Sequence, residues 1–296
     1  MRVCTSLVVG FSVVLVCTSC VSAGRDVRVS LAEYDAFLQS LPKSEISSID
    51  LARQEYGVRF LDEPQRARDD AFLSFRRHYY VVLEAVNDDL YGGDGLDADL
   101  GPVYAKLNQE GFTALLRRNG LVSLESEGYP YLGESEDFLF ASFAGYVSSP
   151  LKRFLEIRRH ELGEQFQEDG ALRVTFMEVA ERCVTWEQYL RRHRASLLED
   201  EALHYYDLYL SALLTGTNNT RVLESEAVYV DSVFVNEIQE AYDFLLEQHP
   251  RSRTAEILRP YYGLVKASGF VRNDEVLWFL EDQGIEHMMA SRCPTR

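Results

Sequence analysis

Apolar side chains recur at three- and four-residue steps along most of the chain, which is the period of a helix that buries one face. Leu31, Tyr34, Phe37, Leu38 and Leu41 follow Ser30-x-x-Glu33, a capping-box signature, and Pro42 stops that run. A second short helix is expected over 45–56. From Pro64, which fits a first helical turn, Ala71, Phe72, Phe75, Tyr79, Val82, Val86 and Leu90 form one stripe. It predicts a helix of roughly 40 Å, at about 1.5 Å per residue, long enough to organise a bundle. Glycines 92, 93 and 95 end it. A further helix is expected over 102–118, then a link over 119–134 that is rich in turn residues.

Beyond that link the same period predicts helices near 136–146, 150–167, 196–214, 232–248, 253–267 and 274–282. Thr175-x-x-Glu178 opens another, to about 193, carrying Phe176, Val179, Cys183, Trp186 and Leu190. Residues 172–175 and 227–235 contain β-branched runs compatible with short strands. The expectation is an all-α protein, an irregular helical bundle or short helical superhelix with at most minor strands. Residues 29–118 and 135–290 would be its two helical subdomains, or parts of one domain.

The first residues break the pattern. Met1-Arg2 precedes the apolar run Leu7–Val16, which falls well short of the about 20 residues needed to span a bilayer and suits a signal-peptide core. Cys17-Thr18-Ser19-Cys20 follows. This stretch resembles a bacterial lipoprotein precursor. The resemblance implies removal of 1–19, acylation of Cys20, a tether over 20–28, and a location in the cell envelope. Cys17 stands where that family favours Leu. Val21-Ser22-Ala23 is a competing small-x-small site, whose cleavage after Ala23 would release a soluble periplasmic or secreted protein. Several acyl chains anchor stably because each buried methylene contributes about 0.8 kcal/mol.

The net charge of -17 repels phosphate backbones and anionic headgroups. Nucleic acid and a polybasic membrane patch are therefore not expected partners. Membrane attachment falls to the N-terminal lipid, and an envelope protein or a small ligand is the expected partner. Only Cys183 and Cys293 follow Cys20, which is no disulfide framework; a bridge between the two is left open. The 17 Tyr and 16 Phe suggest large ring contacts in helix seams or a ring-lined groove.

Candidate chemistry is sparse, and no cofactor is expected. His160-Glu161-Leu162-Gly163-Glu164 starts like a zinc-protease helix but has Glu where the second His must stand. Asp94, Asp97 and Asp99 lie in a Gly-rich loop that offers oxygens to a cation without EF-hand spacing. Arg-Arg-His occurs at 76–78, 158–160 and 191–193; Arg158, Arg159, Arg191 and Arg192 are candidates for an anion site. Glu134-Ser135, opening ESEDFLFASFAGYV, resembles the catalytic Glu-Ser start of lytic transglycosylases, helical envelope enzymes that cleave peptidoglycan. By that resemblance Glu134 is the general acid, although the segments that complete the family pattern do not follow. Residues 241–269 are similar to a tetratricopeptide-like hairpin, on Tyr242, Phe244, Pro250, Ser252 and Ala255. That implies a scaffold-like role. The leading expectation is a lipid-anchored binding or scaffold module. The alternatives are the peptidoglycan-cleaving enzyme and a purely structural lipoprotein.

Overall fold

The computed structural model describes residues 27–91 and 100–285. Cys20, the acidic trio Asp94, Asp97 and Asp99, and Cys293 lie outside the described residues.

The chain folds as an all-α bundle with two small strand pairs. It begins with α1 (Val27–Ser40), α2 (Ser47–Phe60) and the long α3 (Gln65–Leu90). The apolar stripe of α3 is its buried face, and Pro64 precedes its first residue. α1 and α2 both pack on α3. Ser30 is buried inside α1 and does not cap it, because the helix already runs from Val27. The expected 102–118 helix is two pieces, α4 (Leu100–Leu107) and α5 (Glu110–Arg118), broken at Asn108-Gln109.

The supposed link over 119–134 is a hairpin. β1 (Leu121–Ser126) pairs antiparallel with β2 (Tyr129–Glu134), Leu121 opposite Glu134 and Ser126 opposite Tyr129. Glu127 (φ 52°) and Gly128 (φ 80°) make the two-residue turn, whose left-handed backbone matches strand twist. Pro130 fits because a two-stranded ribbon has free edges. Gly120 (φ 73°) turns the chain into β1 with the Phe138 ring lying where a Cβ would sit. Its carbonyl accepts from Tyr79 Oη at 2.7 Å, tying the hairpin to α3.

α6 (Phe138–Phe143) and α7 (Ser149–Gly163) follow, with Pro150 in the first turn of α7. A tiny second hairpin, β3 (Gln167–Glu168) and β4 (Ala171–Leu172), turns at Asp169-Gly170. α8 (Phe176–Arg192) opens with the expected reciprocal cap: Thr175 Oγ1 accepts from Glu178 N, and Glu178 accepts from Thr175 N. α9 (Glu199–Thr215) packs along α8 and ends at Gly216. The β-branched run at 227–235 is no strand. It forms a 3-10 turn, Ala227–Tyr229, and then enters α10 (Ser232–Gln248), because Asp231 caps Val233 N. α11 (Arg253–Ser268), capped by Ser252, and α12 (Asp274–Asp282) complete the chain. α10 and α11 form a packed hairpin broken at His249-Pro250, and Pro260 lies inside α11.

One contiguous core runs through both halves of the chain. Phe143 is an aromatic hub for Tyr56, Phe72 and Phe75, with ring centroids 4.6–5.1 Å apart. Buried tyrosines hand their hydroxyls to backbone carbonyls, as Tyr34 does to Ala52 and Tyr242 to Leu213. Cys183 is buried in α8 with Sγ 3.6 Å from Thr254 Oγ1. Burial pushes its thiol up to about 12, so it behaves as a small apolar filler. Among the described residues no helix is long and apolar enough to cross a membrane.

Candidate functional site

Five elements meet over a chain of buried charges. From α3, Arg76 and Tyr80 stand one turn apart on the same face. Both terminal nitrogens of Arg76 donate to Glu201 on α9, and one also donates to Tyr80 Oη at 3.3 Å. The guanidinium lies 4.9 Å above the Tyr80 ring and 5.4 Å above that of Phe154 on α7. Tyr80 Oη donates in turn to Glu134 Oε2 at 2.8 Å.

Glu134 is the last residue of β2, three residues before the cap of α6, so it does not open a helix. Its carboxyl is partly screened from solvent, and burial raises its pKa above the ordinary 4.5. Arg158, the Tyr80 hydroxyl and Arg76 oppose the rise, whereas Glu201 adds to it.

Arg158 on α7 continues the chain. It donates to Glu161 Oε2 at 2.8 Å and covers the Tyr205 ring at 4.3 Å. Burial works against its charge, but Tyr205, Glu161 and Glu134 outweigh it, so the guanidinium stays ionised. Glu161 Oε1 accepts from Trp186 Nε1 on α8 at 2.6 Å. Trp186 stacks on Tyr205 of α9 at 4.9 Å. Burial pushes the Tyr205 phenol up to about 12, with Arg158 pulling the other way. Two arginines thus face three carboxyls inside an aromatic frame, and every one of those five side chains has a partner.

A groove of about 630 Å³ opens on the far side of Glu161, between α7 and α8. Its walls carry Glu156, Glu161, Glu164, Glu178 and Glu181 against Arg153 and Arg182, with His160 and His249 at its margins. Glu178 is held below the usual carboxylate range by the Thr175 backbone N–H, so it is ionised near neutral pH. Arg182 is turned inward, donating to the Glu164 carbonyl at 2.8 Å. A shallower recess of about 430 Å³ extends the groove past Glu136 and Phe140. The larger cleft between α9, α11 and α12, about 840 Å³, is nearly balanced in charge, with Asp207 and Glu256 facing Arg253.

The four candidate arginines are not spent alike. Arg158 is committed to Glu161 inside the network, and Arg159 pairs with Asp137 at the surface. Arg191 and Arg192 are exposed in the last turn of α8. Glu134 meets Arg158 but neither Arg191 nor Arg192 among its charged neighbours. His160 and Glu164 do share the groove, yet among the described residues no three His, Cys, Asp or Glu side chains are placed to hold a metal ion. Sequence reading missed Arg76, Glu201 and Trp186 as members of one network. Arg76 and Glu201 are 125 positions apart, and only the fold joins them.

No protein-family model matches the chain, and no match was found among curated proteins or among solved structures.

The raised pKa of Glu134 makes a signed prediction. A carboxyl that binds its proton more tightly when folded stabilises the fold below its unfolded value, near 4.5, and loses that contribution as pH rises through the folded value. The Glu134→Gln variant keeps a neutral side chain at every pH. Its stability relative to the parent, from urea melts at a series of pH values, should therefore climb as pH rises above 4.5. A flat or falling difference contradicts the assignment.

Proposed function

We propose that the chain is a non-enzymatic helical binding module, held to a bacterial envelope by a lipid on Cys20, that takes a cationic segment of a partner protein in the α7–α8 groove. The observation that carries this reading is the charge of the groove: Glu156, Glu164, Glu178 and Glu181 line it beside Arg153 and an inward-turned Arg182, while Glu161 at its base is committed to Arg158. Opposite charge steers association and fixes register, and hydrogen-bonding acids at the walls suit Lys and Arg side chains. The chain's overall charge of -17 acts in the same direction.

The peptidoglycan-cleaving alternative is favoured by one feature, the elevated proton affinity of Glu134. A general acid must also reach the leaving group, within hydrogen-bond distance or through one water. Here the carboxyl already accepts from Tyr80 and sits among Arg76, Arg158 and Glu201, an arrangement better suited to joining helices than to meeting a glycan.

The groove is tested with a fluorescein-labelled octapeptide of alternating Lys and Arg, titrated by anisotropy into the detergent-solubilised protein. Saturable binding that weakens with added salt is expected. The Glu164→Gln/Glu181→Gln double variant should bind at least about tenfold more weakly, the effect of about 1.4 kcal/mol. Equal affinity for parent and variant would remove the groove from the proposal.

The anchor is tested separately, by mass spectrometry of the N-terminal peptide from native membranes. A peptide beginning at an acylated Cys20 is expected. An unmodified peptide beginning at Gly24 would replace the anchor with release.

A further inference from the structure

At about 840 Å³ the cleft between α9, α11 and α12 exceeds the α7–α8 groove, and the binding role proposed above makes no use of it. α9 and α11 run alongside each other in the same direction. Thr254 Oγ1 donates to Tyr206 Oη at 3.4 Å, and two turns on Tyr261 Oη donates to the Leu214 carbonyl. That register sets Asp207 on α9 beside Arg253 and Glu256 on α11, all three on the cleft wall. Leu210, Ile257 and Pro260 continue the wall toward the C-terminal ends of the two helices. Phe279 of α12, whose ring lies 5.8 Å from that of Tyr261, stands at this apolar end.

The three charges are unspent. Arg253 and Glu256 are one turn apart on one face of α11, a spacing at which opposite charges commonly pair. Partial burial raises the Asp207 pKa, while Arg253 and then His204 oppose the rise, so the guanidinium stands within electrostatic reach of this carboxyl. Yet among the described residues neither carboxylate makes a side-chain hydrogen bond or an ion pair, and the guanidinium has only the Tyr206 ring beneath it, 5.8 Å from the centroid. Pro260 adds a further polar group. It brings no N–H to the Glu256 carbonyl one turn earlier, so the helical bond that would occupy that oxygen is missing on the face that lines the cleft. Two carboxylates and a spare carbonyl are acceptors suited to an ammonium group, and a guanidinium is a fork suited to a carboxylate.

We infer that this cleft binds a small zwitterion of dipeptide size with an apolar side chain: Asp207 and Glu256 hold its ammonium, Arg253 holds its carboxylate, and Ile257, Pro260 and Phe279 receive its side chain. The volume lies in the upper part of the roughly 300–1,000 Å³ typical of small-molecule sites, and an apolar wall with a few convergent polar groups is their usual lining. The site is separate from the α7–α8 groove and stands whether or not that groove binds a cationic segment.

Isothermal titration calorimetry on the full-length, detergent-solubilised protein tests it with four probes: Leu-Phe, N-acetyl-Leu-Phe, Leu-Phe amide and Gly-Gly. Leu-Phe should bind saturably, and each of the other three at least about tenfold more weakly, a gap of about 1.4 kcal/mol. The Asp207→Asn/Glu256→Gln variant should bind Leu-Phe no better than its acetylated form. Arg253→Gln should bind Leu-Phe no better than its amide. The three side chains hold no structural hydrogen bond among the described residues, so circular dichroism and melting temperature should match the parent in both variants. The Glu164→Gln/Glu181→Gln variant, altered only in the α7–α8 groove, should bind Leu-Phe as the parent does. Absence of saturable Leu-Phe binding at millimolar concentration, or parental preferences in the cleft variants, overturns the inference. So does loss of Leu-Phe binding in the groove variant, which would give the dipeptide to the groove.

Discussion

A charge taken out of water must find an opposite charge or a hydrogen bond, and the architecture of this protein is organised around that requirement. The effective cost of burying one ion is several kcal/mol even after relaxation, and removing one partner of a buried pair costs about 3–5 kcal/mol. The bundle buries Arg76 and Glu161, and half-buries Arg158, between elements drawn from both halves of the sequence. Glu201 and Glu134 complete the set only when α9 and β2 sit in one register against α3 and α7. The apolar core supplies most of the driving force, as it does in any bundle, and burial by itself carries no direction. The hydrogen-bonded ion pairs close only in this register, and their coupling measures how far they specify the arrangement.

The same requirement shapes the groove. Glu161 is shared: one oxygen meets Arg158, the other meets the Trp186 indole, and the side chain also forms part of the groove wall. The acidic recess is thereby held on a rigid base. Its remaining carboxylates, Glu156, Glu164, Glu178 and Glu181, lie along the groove walls, with Glu156 paired to Arg153 and Glu164 within 3.6 Å of Arg182. The proposed binding role rests on the excess of acids over arginines along the groove walls.

Much of this was readable in the sequence. The stripe on α3, the Thr175–Glu178 cap, the Asp274–Asp282 helix and the break at His249-Pro250 were all legible, because each depends on neighbours within a turn or two. Of the paired tyrosines, Tyr79 and Tyr206 lie in the core and Tyr80 and Tyr205 nearer the rim. Tyr261 and Tyr262 are both buried, because α10 covers the second ring. The β1–β2 hairpin went unseen because Gly128 and Pro130 read as loop residues. Their value as turn and edge residues depends on the partner strand. Glu134 was picked out for its neighbour Ser135. Its actual environment comes from Tyr80, Arg76 and Arg158, and no local window contains them. Arg158, Arg159, Arg191 and Arg192 look equivalent in sequence, and only the fold separates the buried one from the three at the surface.

The most direct test of the organising role of the buried charges is a double-mutant cycle on Arg76 and Glu201, which link α3 to α9. Stability is measured by urea unfolding for Arg76→Met, Glu201→Leu and the pair together. Glu201→Leu should be the more damaging single change, by about 3 kcal/mol, because it strands the more deeply buried charge. The double variant should recover much of that loss, giving a coupling of at least about 1.5 kcal/mol. Additive losses, with no coupling between the two positions, would show that this pair does not hold the helices together.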